Sequence, residues 1–251
     1  MSAYDFRAPR LYLDTPLAAE AAVRLDPRQH HYLLTVLRRG PGGTVLVFNG
    51  RDGEWLARID EAGRKATALM PLHQTRTQPP PADLHYLFAP IKHARLDYLV
   101  QKAVEMGASH LQPVITRYTQ VARVNHDRMR QNAIEAAEQC GILALPEIAP
   151  AVTLHALVAG FPRERLLVFC DEEAEVNDPV AALAAARLRV GSPLRLAVLI
   201  GPEGGFAPEE RDAVLSLPQV VRLALGPRIL RADTAAVAAL ALAQAVLGDW
   251  R

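Results

Sequence analysis

Cysteine is scarce in this chain: 251 residues hold two, Cys140 and Cys170. A disulfide scaffold needs more of them in a much shorter chain, so both thiols are expected to be reduced. Aromatic residues are also few, at 6%. No charge sign dominates, because 28 Lys and Arg face 27 Asp and Glu, a net of +1. That balance excludes a grossly basic surface for nucleic acid. A long apolar run is missing too. Residues 235–247 come nearest, but they fall short of the roughly 18 residues a membrane span needs, and Gln244 interrupts them. Asp5, Arg7 and Arg10 break up the first stretch, so no secretory signal and a cytoplasmic location are expected. Half of the residues are hydrophobic, which excludes a disordered chain.

Several site motifs are missing. No G-x-G-x-x-G follows a strand and no G-x-x-x-x-G-K-[ST] occurs, so neither common phosphate cradle is supported. There is no G-x-S-x-G elbow. Histidine and cysteine never approach zinc-ligand spacing. His30 and His31 are the nearest pair, and sequence neighbours do not share a helix face. No metal is expected.

What is present divides at Pro79, Pro80 and Pro81. Residues 1–82 hold eleven Lys and Arg against eight Asp and Glu, a net of +3, and residues 83–251 hold 17 against 19, a net of −2. The front segment reads as mostly β. Residues 11–13 predict a strand, and residues 29–37 predict a single helix with Leu33, Leu34 and Leu37 on one side. Residues 44–48 predict a strand that turns tightly at Asn49-Gly50 and returns over 54–59. Strands at this spacing suggest a small barrel over residues 1–74. Residues 75–82 form a Pro-rich linker. From residue 83 strands and helices alternate to 251, which implies a parallel sheet covered by helices. In such sheets ligands bind at the carboxyl ends of the strands.

Two loops at strand ends carry the most information. In Leu199, Ile200, Gly201, Pro202, Glu203, Gly204, Gly205 and Phe206, an apolar strand runs into glycines that let a ligand approach the backbone closely. In Leu225, Gly226, Pro227, Arg228, Ile229, Leu230 and Arg231, a second strand runs into a Gly-Pro loop before a helix over 234–247. Asp233 is the expected N-cap of that helix. The helix is apolar nearly all round, so it is expected to be buried in a core or against a partner.

The strings GPEGGF at 201–206 and LGPRILRADTA at 225–235 resemble the bacterial ribosomal RNA small subunit methyltransferase E family. These are 16S rRNA (uracil(1498)-N(3))-methyltransferases of the SPOUT superfamily. PRLYL at 9–13, HHYLLTVLRR at 30–39, QKAVEMG at 101–107, EAAEQCG at 135–141 and PEI at 146–148 extend the resemblance over the whole chain. The resemblance implies a PUA-like RNA-binding β-barrel in front and an α/β C-terminal SPOUT domain with a trefoil knot. It implies S-adenosyl-L-methionine as cofactor and a homodimer packed through the knot and the last helix. Leu199, Ile200, Gly201, Pro202, Gly204, Gly205, Leu225, Gly226, Ile229 and Leu230 would hold the cofactor. The chain departs from the family at Asp233, where Glu is usual, and at Ile142, where Arg is usual.

Methylating N3 of uracil requires loss of the ring proton, which a positioned base assists and a nearby cation stabilises. Arg231 is the candidate cation, with Glu203 and Asp233 as candidate bases or acceptors. Arg7, Arg10, His31, Arg38 and Arg39 are the candidate contacts to 16S rRNA in the small ribosomal subunit. Two other readings stay open on residues alone. One is a noncatalytic RNA-binding or ribosome-assembly protein, and the other is an α/β transferase, or SPOUT enzyme, with a different target.

Overall fold

The computed structural model describes residues 8–62, 67–80, 82–121, 123–175, 178–188 and 194–250. Its contacts divide the chain into two units, Met1–Pro81 with Ile134–Leu145 and Ala82–Ala133 with Pro146–Arg251.

The first unit is a curled five-stranded sheet. It contains β1 (Arg10–Tyr12), β2 (Val23–Arg24), β3 (Thr44–Phe48), β4 (Glu54–Ala62) and β5 (Thr67–Arg76), in the order β1-β3-β4-β5-β2. β1 runs parallel to β3, and the other pairings are antiparallel. Alternate residues of β5 point inward, so Leu69 joins Val45, Val47, Ile59, Leu11 and Leu13 in one core. The expected Asn49-Gly50 hairpin turn is instead a loop from Asn49 to Gly53. Asn49 is buried there, and its side chain donates to Thr15 O and to Asp52. Asn49 thus organises a wider loop than a two-residue turn allows. β5 also runs two residues past 74, where Thr75 and Arg76 bond to the buried carboxylate of Glu54.

The single helix expected over 29–37 is two pieces. α1 (Pro27–His31) starts at Asp26, whose side chain caps Arg28 N and Gln29 N while Gln29 caps back. A π-helical turn, Tyr32–Val36, follows it. Arg38 then takes φ +51°, unusual for a residue with a side chain. Leu33 alone of the three expected leucines is fully buried. Leu37 packs half-buried against the same core, and Leu34 is half-buried.

The second unit is a parallel sheet flanked by helices. It contains β6 (Leu84–Phe88), α2 (His93–Glu105), β7 (His110–Ile115), α3 (His126–Cys140), β8 (Glu147–Ile148), β9 (Val152–Thr153), α4 (Leu154–Ala159), β10 (Arg165–Cys170), α5 (Pro179–Arg187), β11 (Arg195–Ile200), α6 (Pro208–Leu215), β12 (Val220–Leu223) and α7 (Ala232–Val246). The sheet order is β12-β10-β11-β6-β7-β8, with β9 against β7, and every pairing is parallel. α3 crosses the division of the chain, since Ala133 belongs to the second unit and Ile134 to the first. Gln244, which breaks the apolar run of α7, is buried and donates to Met106 O at 2.7 Å, closing the end of α2. α7 buries one face, including Ala236, Ala239, Leu240 and Ala243, and is half-buried or exposed elsewhere. Within one chain it is therefore not covered on every side.

Within the first unit Tyr12 N donates to Glu138 Oε1 at 2.8 Å. Burial, with Glu135 nearby, pushes the Glu138 carboxyl up to about 7. The folded protein thus keeps a proton that the unfolded chain releases near 4.5, and this contribution is lost as pH rises from 4.5 through 7. Glu138→Gln removes the titration and keeps an acceptor for Tyr12. Melting curves of the two proteins are expected to lie close together at pH 5. At pH 8 the variant should be more stable by about 1–2 kcal/mol, a few degrees in Tm, after allowing for the part of the carboxyl that water still reaches. Equal melting temperatures at both pH values would refute this.

Candidate functional site

The site lies at the carboxyl edge of the parallel sheet. Cys170, the last residue of β10, is in register with Ile200 at the end of β11 and with Leu223 at the end of β12. Three loops therefore leave the sheet side by side, and their residues line a cavity of about 400 Å³. This is where ligands bind in open parallel sheets.

The middle loop needs its glycines. A Cβ on Gly201 would lie 2.6 Å from the ring of Phe206, which is itself buried and packed edge-on to Phe169 at 4.9 Å. Gly205 has φ +68°, donates to Pro202 O at 3.0 Å, and a Cβ there would collide with the Glu172 carboxylate. α6 starts beyond Phe206 with Pro208 in its first turn, and the Glu210 side chain caps Ala207 N at 3.1 Å. The third loop has Gly226 at φ +96°.

A buried ion network holds the edge together. Asp171, with no exposed side-chain surface, accepts from Arg211 Nε at 2.9 Å and from Arg222 Nε at 2.8 Å. Arg211 also reaches Glu173 at 3.1 Å. One carboxylate thus ties the first loop to α6 and β12. Cys170 beside it lines the cavity, but burial pushes its thiol up to about 12, so it stays protonated.

Most of the expected cofactor residues line the cavity. Ile200, Gly201, Pro202, Gly204, Gly205, Leu225, Gly226, Ile229 and Leu230 all do. Leu199 does not. Strand alternation turns it to the opposite face, where it is fully buried with Leu87, Phe169 and Phe206. Glu203 lines the rim and pairs with Arg95 at 3.4 Å, both side chains being about 40% exposed. Arg231 is exposed and stands at the helix start. Asp233 is not the N-cap. α7 begins at Ala232, so Asp233 sits in the first turn, its carboxylate accepting from Thr234 N at 3.0 Å and facing the positive helix end.

The whole first loop, Cys170, Asp171 and Glu172, escaped the sequence reading. Its signal was present: an apolar strand, LLVFC, runs straight into DEE, as an acidic loop at a strand's carboxyl end would.

Tyr86 lies behind this edge on β6. It is fully buried, and among the described residues its hydroxyl has no hydrogen-bond partner. Burial, with Cys170 and Asp233 adding, drives its pKa well up. An unsatisfied buried hydroxyl costs about 1–3 kcal/mol. Tyr86→Phe is therefore expected to melt at the wild-type temperature or a few degrees above it. A clear drop in Tm would show that the hydroxyl has a partner.

Among the candidate RNA contacts, Arg10 is not a surface residue. It is buried against Glu54 at 3.3 Å, because that carboxylate, also buried, needs a cation. His31, Arg38 and Arg39 are exposed. Arg7 lies outside the described residues. Among the described residues no cluster of three or more His, Cys, Asp or Glu is placed to hold a metal ion, and no helix is long and apolar enough to cross a membrane.

Residues 78–244 match the RNA methyltransferase domain family, and residues 25–67 match the RNA methyltransferase PUA domain. The chain is 31% identical over 236 residues to ribosomal RNA small subunit methyltransferase E of Rickettsia conorii, covering 92% of this chain and 93% of that protein. A solved ribosomal RNA small subunit methyltransferase E from Neisseria gonorrhoeae, bound to S-adenosyl methionine, superposes with a TM-score of 0.85 at 25% identity. It covers 98% of this chain and 100% of that one. A methyltransferase from Legionella pneumophila, solved with SAM, gives a TM-score of 0.82 at 28% identity, over 95% of this chain and 98% of that one.

Proposed function

The chain belongs to the ribosomal RNA small subunit methyltransferase E family, and from that premise we propose that it methylates N3 of one uridine in 16S rRNA, using S-adenosyl-L-methionine. The observation that carries the reading is the three-loop cavity at the carboxyl edge of the parallel sheet. Its residues suit this cofactor. Ile200, Leu223, Leu225 and Leu230 offer an apolar wall for an adenine ring and exclude water. Backbone at Gly201 and Gly205, where a Cβ would collide, allows close approach. Glu172 and Glu203 complement a cationic centre. When bound, the cofactor supplies an electrophilic methyl group on a sulfonium.

The protein's task is then mostly positioning. Arg231, exposed beside Leu230, offers a cation for the uracil oxygens as the ring proton leaves. Glu203, at the cavity rim, and Asp233, in the first turn of α7, are the candidate acceptors for that proton. The target base has to be unpaired or extruded, because pairing hides N3. In this reading the first unit, with Arg38, Arg39 and His31 on its surface, grips phosphate as a PUA module. The protein works in the cytoplasm, where ribosomal subunits are found. A homodimer through α7 and a trefoil knot of the kind the resemblance implies would cover the half-buried side of α7 and Ile229, which is 99% exposed.

The test is mass spectrometry of 16S rRNA from a strain lacking this gene. N3-methyluridine should disappear, and it should return with the wild-type chain but not with Arg231→Ala. Calorimetry with S-adenosylhomocysteine separates the alternatives. Binding without any methylation of small subunits would favour a noncatalytic assembly protein, and no binding would remove the cofactor reading.

A further inference from the structure

The first unit holds a second cavity, of about 250 Å³, lined by Arg10, Tyr32, Leu37, Arg39, Glu138 and Gln139 among others. Part of its wall comes from irregular backbone. Tyr32 opens the π-helical turn, and Arg39 follows Arg38 at φ +51°. A π turn and a strained non-glycine residue persist only where the surroundings enforce them, and both cluster at functional sites.

The polar groups are arranged as a recognition set. Glu138 Oε1 is held by Tyr12 N, while among the described residues no cation pairs with this carboxyl. Arg10, the nearest candidate by position, is directed to Glu54 and Ala8 O. The Tyr32 ring and the Gln139 side chain line the same cavity. A half-buried carboxyl with a spare oxygen, an aromatic ring, a side-chain amide and an exposed guanidinium are the groups that read a planar lactam. The carboxyl accepts a ring N–H, the amide or guanidinium donates to the adjacent carbonyl, and the aromatic ring packs on the base.

We propose that this cavity binds one unpaired nucleobase of the RNA substrate that presents an N–H beside a carbonyl, guanine or uracil, with Glu138 accepting the N–H and Gln139 and Arg39 facing the carbonyl oxygen. The proposal rests on the RNA methyltransferase reading and deepens it, since the cavity selects sequence away from the cofactor loops. Adenine and cytosine lack the ring N–H beside a carbonyl and are disfavoured. A bidentate contact of this kind discriminates by roughly tenfold or more.

The experiment uses the full chain at pH 8, where the Glu138 carboxyl, pushed up to about 7, is ionised, and fluorescence anisotropy with single-stranded oligoadenylate decamers carrying one central G, U or C. Wild type should bind the G or U decamer about tenfold more tightly than the C decamer and the all-A one. Glu138→Gln presents an amide that can donate, so the preference should vanish or turn towards bases with a ring acceptor. A mere loss of packing cannot produce such a change. S-adenosylhomocysteine titration of the variant checks that the fold is intact. If wild type and Glu138→Gln show the same order of base preference, or wild type shows none, the cavity is not a base site. If wild type binds the cofactor product but none of the decamers, the RNA-binding reading of this chain falls, and the proposal falls with it.

Discussion

Asp171→Ala should lose about 3–5 kcal/mol of stability, as breaking buried ion pairs generally does. The Asp171 side chain has no exposed surface, and Arg211, its partner at 2.9 Å, is only 9% exposed. Removing the carboxylate leaves the Arg211 charge buried with the solvated Glu172 and Glu173 as its remaining partners. Arg222 is better placed to find water, at 30% exposure, so Arg222→Ala should cost about 1 kcal/mol or less. For a chain of this length the Asp171 variant should melt roughly 6–20 °C below wild type. Cofactor binding should go with it, because Asp171 lines the cavity and fixes the loop that carries Glu172. Differential scanning calorimetry and a titration with S-adenosylhomocysteine measure the two effects. The decisive comparison is Asp171→Leu with Arg211→Met, which removes both charges. The double variant should recover part of the Tm that Asp171→Leu loses alone, and no recovery would mean that the network is not what holds this edge.

Gly201→Ala should weaken cofactor binding tenfold or more, with a smaller loss of stability. The added methyl would lie 2.6 Å from Cε2 and 2.9 Å from Cζ of Phe206. Phe206 is 4% exposed and cannot swing aside without disturbing Phe169. Overpacking of this kind costs about 1–3 kcal/mol, and the strain is relieved by moving the loop that forms the cavity wall. Each 1.4 kcal/mol passed to the bound state is a factor of ten in affinity. Gly204→Ala is the control. Its methyl would lie 3.1 Å from Cβ of Tyr118, a contact that a shift of a few tenths of an ångström relieves. Calorimetric affinities should therefore fall in the order wild type, Gly204→Ala, Gly201→Ala. The reverse order would show that Phe206 accommodates the methyl.

The cavity loops were legible because their chemistry is written in glycine and proline, and because ligands sit at the carboxyl ends of parallel strands. Leu199 falls outside the cavity lining for a related reason. It adjoins the loop in sequence, but a strand turns successive side chains to opposite faces, and Leu199 points into the core. The loop at Cys170 was missed for the opposite reason. DEE resembles an ordinary solvated acidic stretch until the sheet order places β10 between β11 and β12. Neither local pattern nor composition carries that order. Arg10 shows the same limit for charge. In the sequence it is one of several front arginines, and only the pairing of β3 with β4 and β1 brings the buried Glu54 to it. The π-helical turn at Tyr32–Val36 was invisible for a different reason, since HHYLLTVLRR satisfies helical periodicity as written.

α3 is one uninterrupted helix whose residues are divided between the two units after Ala133. The Pro run at 79–81 looks like a natural place to separate the protein into modules, but the contacts of the first unit also include residues 134–145. A fragment beginning at residue 82 would keep residues 134–145 while losing everything they pack against in the first unit, including the partner of Glu138 at Tyr12. A fragment ending at residue 81 would lack the carbonyl of Gly141 that receives Arg76. The modularity is therefore that of an insertion, with the borrowed segment carried in the middle of the other unit's sequence. Any graft of this front module onto another methyltransferase has to transplant two stretches of chain together.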